Sequence, residues 1–113
     1  SITPRRERPA PPPPPPPSPP PPPPHPARHW VQLATGQDLS AFRFDWRRLR
    51  RTAGALLEDR VAFHARWGQT RRLLTGPFPS ASAANDLVRA LGGAGVEAFR
   101  FSSIPGEEVL PLQ

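Results

Sequence analysis

Hydrophobic and polar positions divide the chain in two. Up to Pro26 there is no period, because proline takes most positions. From His29 the pattern becomes regular. Trp30-Val31-Gln32-Leu33-Ala34 alternates between two faces, the period of a strand. Val31 and Leu33 fall to one side, Trp30 and Gln32 to the other. Thr35-Gly36-Gln37-Asp38 reads as a loop. From about Ser40 to Leu57 the apolar positions are Phe42, Trp46, Leu49, Ala53 and Leu56. Their steps of 4, 3, 4 and 3 residues are helical. Arg47, Arg48, Arg50 and Arg51 fall mostly off that stripe, as a solvated helix face does.

Alternation returns from Val61 to Trp67. Gly68-Gln69-Thr70 then reads as the turn of a hairpin. Arg72-Leu73-Leu74-Thr75 is a third strand, halted by Gly76-Pro77. Ser80 or Ser82 can cap a second helix, since a serine oxygen accepts a free first-turn N–H. Ala84, Leu87, Val88 and Leu91 make its apolar stripe, and Gly92, Gly93 and Gly95 stop it. Val96 to Phe101 is a fourth strand. Ser102 to Gln113, twice broken by proline, reads as a tail.

The order strand, helix, strand, strand, helix, strand predicts an α+β domain of βαββαβ type, ferredoxin- or RNP-like. Four antiparallel strands would carry both helices on one face. The domain is placed at residues 29–113, with a core at 29–101 and a tail at 102–113. The other sheet face would be left open, and function is to be sought there.

Composition adds the linker. Sixteen of the 20 prolines lie in the first 26 residues. Proline fixes φ and lacks an N–H, so this tract should adopt polyproline II rather than a core. At about 3.1 Å per residue its eighteen-residue stretch spans roughly 55 Å. Residues 1–28 therefore read as a disordered proline-rich linker, a semi-rigid spacer. The net charge is +6, all of its basic residues arginine, which suits an anionic partner without choosing one. Cysteine is absent, which excludes disulfides and thiol chemistry. No apolar run approaches the roughly 18 residues that span a bilayer. The start at Ser1 and the lack of methionine suggest a piece of a longer protein.

The catalytic search is thin. No Gly-x-Ser-x-Gly elbow occurs. His25, His29 and His64 have no ligand spacing, and Gly92-Gly93-Ala94-Gly95 follows a helix rather than a strand. No enzyme activity, cofactor or metal is expected. A binding sheet fits better. Its outward set would hold Trp30, Gln32, Arg72, Leu74, Phe99 and Phe101. Aromatic rings stack on bases or on the C–H faces of sugars. Glutamine both donates and accepts, and arginine offers a planar fork to carboxylate or phosphate.

Several segments then carry a resemblance. Trp30-Val31-Gln32-Leu33, the amphipathic helix, Arg72-Leu73-Leu74-Thr75-Gly76-Pro77-Phe78, Ser80-Ala81-Ser82-Ala83-Ala84 and Ala94-Gly95-Val96-Glu97-Ala98-Phe99 resemble the SPOR domain. This is the sporulation-related, peptidoglycan-binding module of bacterial envelope proteins, and the similarity runs from about His29 to Phe101. The resemblance implies a βαββαβ fold in the periplasm or outside the cell, often behind a low-complexity linker. It implies a ligand of glycan strands stripped of stem peptides, enriched at the division septum.

By position, Gln32 matches the glycan-contacting glutamine of the family and Thr35 its small hydroxyl residue. Where the family often has an aromatic at the start of strand three, this chain has Arg71 and Arg72, with Trp67 just before the turn. Strand four points to Phe101. Together with Trp30 as a stacking surface, these are the candidate glycan-binding residues of a monomeric module. An RRM-like single-strand RNA binder shares this topology, but the Lys/Arg-Gly-Phe/Tyr-Gly/Ala-Phe pattern is missing from strand three, so no nucleic acid is expected. A protein-interaction module is the other alternative.

Overall fold

The computed structural model describes residues 9–20 and 25–113. The rest of the expected linker, residues 1–8 and 21–24, lies outside the described residues. Residues 9–20 are exposed and carry no helix or strand. Then follow β1 (Arg28–Gly36), α1 (Leu39–Ala53), a 3-10 turn (Gly54–Leu56), β2 (Ala62–Trp67), β3 (Thr70–Phe78), α2 (Ala81–Gly93), β4 (Phe99–Ser103) and β5 (Val109–Pro111). The fold is α+β. Five antiparallel strands form one sheet in the order β4-β1-β3-β2-β5.

Local chemistry sets the helix starts. Asp38 caps α1, its carboxylate accepting the Ser40 N–H at 2.8 Å. Ser80, and not Ser82, caps α2, accepting the Ala83 N–H at 3.1 Å. Each cap satisfies a first-turn donor that the helix cannot reach. Phe42 of α1 and Ala84, Leu87 and Leu91 of α2 share one core with Val31, Leu33 and Leu73 of the sheet. Trp46, Leu49, Leu56 and Val88 pack against its margin. Both helices therefore cover the same side of the sheet.

Four sequence expectations need correction. The sheet has five strands, not four, because the expected tail supplies β5 along the free edge of β2. Pro111 is tolerated there because an edge strand has one side with no ladder to donate into. The linker boundary also moves: Arg28 already pairs with Ser103 in the β1–β4 ladder. Val96 and Ala98 are buried but lie before β4, which runs on to Ser103.

Finally, β3 continues through Gly76-Pro77. Two residues there face one on β1, between the pairs His29–Phe78 and Val31–Thr75. The β2 ladder ends at Thr75, so Pro77 deprives neither neighbour of a hydrogen bond. Gly76, at φ 144°, lets the backbone pass under Trp30; a Cβ there would meet the indole at 3.0 Å and the His29 carbonyl at 3.2 Å.

A second bulge shapes the site. Gln32 opposes Leu74 and Ala34 opposes Leu73, so Leu33 is the extra residue. Leu33 and Ala34 both join the helix-side core, and Thr35 returns to the opposite face, across from Arg72.

The helix-free face is only partly open. Trp30, Ala65, Leu74 and Val109 form a second, small core, with Phe63 and Phe101 packed against it. Ile104–Glu108 links β4 to β5, the two outer edges of the sheet. Four strand spacings of about 4.8 Å separate those edges by about 19 Å in a flat sheet. The turn closed by Glu107 N–H to the Ile104 carbonyl shortens this link below that span. The sheet therefore curls around Trp30.

Candidate functional site

The open part of the helix-free face is built by register. Gln32 on β1 sits between Leu74 of β3 and Phe99 of β4. Arg72, two residues before Leu74, shares its face. Arg72 Nη1 donates to Gln32 Oε1 at 2.5 Å. The guanidinium carbon lies 4.2 Å from the Trp67 ring centroid and 4.4 Å from that of Phe101. Trp67 comes from the β2 end of the hairpin and Phe101 from β4, on opposite sides of β3. Arg72 is thus flanked by two aromatic rings and tied to an amide.

These contacts have a definite electrostatic sense. An arginine over an aromatic face is attracted by the ring quadrupole, by about 0.5–1 kcal/mol per exposed contact. The two rings and Gln32 hold the guanidinium in one orientation. Arg72 Nε is buried and has no hydrogen-bond partner among the described residues. No acid pairs with Arg72 among them either, so the charge of this half-buried side chain is uncompensated. Trp67 is 52% exposed and Phe99 57% exposed, leaving apolar ring surface on either side of Gln32 and Arg72.

Four of the seven expected site residues therefore meet: Gln32, Trp67, Arg72 and Phe101. Thr35 is exposed and opposes Arg72 in the β1–β3 ladder, at the rim of the same face. Three expectations fail. Trp30 lies on this face but is fully buried, its indole N–H donating to Ser103 Oγ at 3.0 Å and its ring 4.9 Å from that of Phe63. It is the floor of the site and cannot stack on a ligand. Leu74, also expected outward, is buried beside it. Arg71 falls on the other face, because successive strand residues point to opposite sides. Its guanidinium donates to His64 Nδ1 at 3.2 Å, away from Arg72.

Phe99 is the surface that site assignment by family position passed over; its parity with Phe101 was the available signal. His64 is buried beside Leu110 of β5, a placement that no sequence pattern indicated. Burial holds its pKa below the usual 6.5, the Arg71 charge adds to that, and Glu108 opposes it. An arginine can only donate, so Nδ1 is the unprotonated acceptor of a neutral ring. Among the described residues no cluster of three or more His, Asp or Glu side chains is disposed to hold a metal. A groove of about 730 Å³ lies elsewhere, between the 3-10 turn and α2; there Arg60 covers the Phe78 ring at 4.4 Å. No known protein family, curated protein or solved structure matches this chain.

Proposed function

We propose that this is a SPOR-like glycan-binding module that recognises peptidoglycan strands lacking stem peptides. We read its first four strands and two helices as the βαββαβ arrangement of that family, with β5 added at the β2 edge. The observation that carries the reading is Arg72, held by Gln32 between Trp67 and Phe101 on the helix-free face.

The chemistry follows from these groups. A denuded glycan keeps its N-acetyl groups and exposes a lactyl carboxylate on each muramic unit. Gln32 Oε1 is engaged by Arg72, so its amide NH₂ is the group that donates to an acetamide carbonyl. The guanidinium faces the carboxylate, a charge-assisted contact stronger than a neutral one. Trp67, Phe101 and Phe99 offer apolar faces to the sugar C–H groups. A stem peptide would turn the carboxylate into an amide and add bulk, removing the ionic contact and blocking approach. In this reading the parent protein is monomeric, resides in the bacterial periplasm or envelope, and is drawn to the septum. The proline tract is its spacer.

Binding to sacculi treated with an amidase, against untreated sacculi and single-stranded RNA, tests this. Gln32→Ala and Arg72→Ala should each weaken binding to treated sacculi about five- to thirty-fold, the equivalent of one or two hydrogen bonds. The Arg72 effect should shrink more at high salt than the Gln32 effect. The double variant should lose less than the product of the two losses, because Gln32 also orients Arg72. A folded Gln32→Ala protein that binds like the wild type, or a preference for RNA, would sink the proposal.

A further inference from the structure

The outer face of α1 is unlike the rest of the domain. Arg43, Arg47, Arg48, Arg50 and Arg51 are all exposed. At about 100° per residue they occupy an arc of roughly 160°, opposite the buried Phe42 and Ala53. Phe44, 59% exposed, lies inside that arc, between Arg51 and Arg48. Residues 28–113 contain twelve arginines and eight acids. Without the five arginines and Asp45 of α1, seven arginines stand against seven acids, so the whole positive excess resides on this face.

Little of that charge is cancelled. Arg48 pairs with Asp45 at 3.3 Å. Arg50 donates to the Glu58 main-chain carbonyl at 2.9 Å, a neutral contact that leaves its charge in place, and Arg43 donates to a main-chain oxygen of Gln113. Arg47 and Arg51 flank Phe44 on its i+3 and i+7 sides.

We propose that this face is a docking surface for anionic lipid bilayers. Its shape selects the partner. A helix flank is convex, so it meets a flat surface better than a strand that must be gripped in a groove. Single-stranded nucleic acid calls for a charged groove with stacking rings, and here one ring stands among arginines on a ridge. An exposed aromatic amid basic residues suits the bilayer interface, where the ring enters the headgroup region and the arginines meet phosphates. No helix among the described residues is long and apolar enough to cross a membrane, so the contact would be peripheral. This inference is independent of the glycan reading, because α1 covers the face of the sheet opposite Gln32 and Arg72.

Flotation of the full 113-residue chain with vesicles tests it. One set contains phosphatidylglycerol in phosphatidylcholine, the other phosphatidylcholine alone. The wild type should float with the anionic vesicles only and detach as salt rises. Arg47→Gln/Arg51→Gln should bind about twenty-fold more weakly, roughly fivefold per arginine. Phe44→Ala should lose most of the binding that survives at intermediate salt. Arg5, Arg6 and Arg8 are present in every arm, so the differences report α1 alone. Equal binding to both vesicle types, no effect of the double substitution, or tighter binding to single-stranded RNA unaffected by Phe44→Ala would each overturn the proposal. All three side chains are exposed, and circular dichroism checks that the variants stay folded.

Discussion

Trp30 and Trp67 show how one residue type takes two roles within a single sheet face. Trp30 is fully buried and its N–H is satisfied by Ser103, whose hydroxyl oxygen also accepts the Arg28 N–H at 3.2 Å. Trp67 is half exposed and meets Arg72. Trp30→Ala should destabilise the domain by about 3–5 kcal/mol, the usual cost of a large aromatic cavity. Trp67→Ala should leave the melting temperature within a degree or two and lower only glycan affinity. Urea titration of both, beside sacculus binding, checks the assignment. Comparable destabilisation by the two would mean that Trp67 is structural. The alternation around Trp30 was readable in the sequence and placed it on the correct face. Its burial was not, because that depends on a connection more than seventy residues away.

That connection defines the element scale. β5 is only three residues long, yet Val109 is buried in the small core and Leu112 N–H donates to the Ala62 carbonyl at 2.9 Å. Its three residues and its proline gave no period-2 signal long enough to register as a strand. Truncation after Ser103 should uncover Trp30, Ala65 and the β2 edge, lowering stability by several kcal/mol from lost burial alone. The truncated chain should also associate through the newly exposed edge. Chemical denaturation and light scattering measure the two effects. A truncated chain that is monomeric and as stable as the original would show β5 to be an ornament. By contrast, the two helices were legible in advance, because their apolar stripes and the serine cap offered at Ser80 or Ser82 are local signals, while Asp38 read only as part of a loop.

At the scale of the whole molecule, His64 couples stability to pH. It is buried between β3 and β5, where Arg71 disfavours a second positive charge. The folded state therefore binds a proton less readily than the unfolded chain, whose histidine titrates near 6.5. Above that value the group adds nothing pH-dependent. As pH falls below it, the unfolded state gains the proton first, so stability declines until the folded pKa is also passed. Denaturation midpoints between pH 7.5 and about 5 should fall for the wild type and fall less for His64→Gln. A wild-type midpoint that rises over that window would contradict the burial argument. The proline tract meets this structure at His25, whose carbonyl accepts the Gly106 N–H at 2.8 Å and whose Nδ1 accepts the Val109 N–H at 3.4 Å. The proline tract thus touches the β4–β5 connection three residues inside the boundary expected at Arg28.

The sequence by itself determined what repeats within a few residues. Period-2 alternation set the faces of β1 and β3, the 3–4 spacing marked both helices, and the proline tract excluded a core in the linker. These signals are local, because strand and helix geometry repeat every two or 3.6 residues. Tertiary structure decided what depends on distant partners. Leu33's bulge turned Thr35 toward the open face, Val109 and Phe101 joined Leu74 in burying Trp30, and the short Ile104–Glu108 crossing curled the sheet. Register brought Gln32 of β1, Trp67 of β2, Arg72 of β3 and Phe101 of β4 to one place, while parity sent Arg71 to the other side. Each outcome rests on which strands pair and where the chain crosses. Those choices are fixed by burying the most apolar surface across the whole fold, and no window of neighbouring residues contains them.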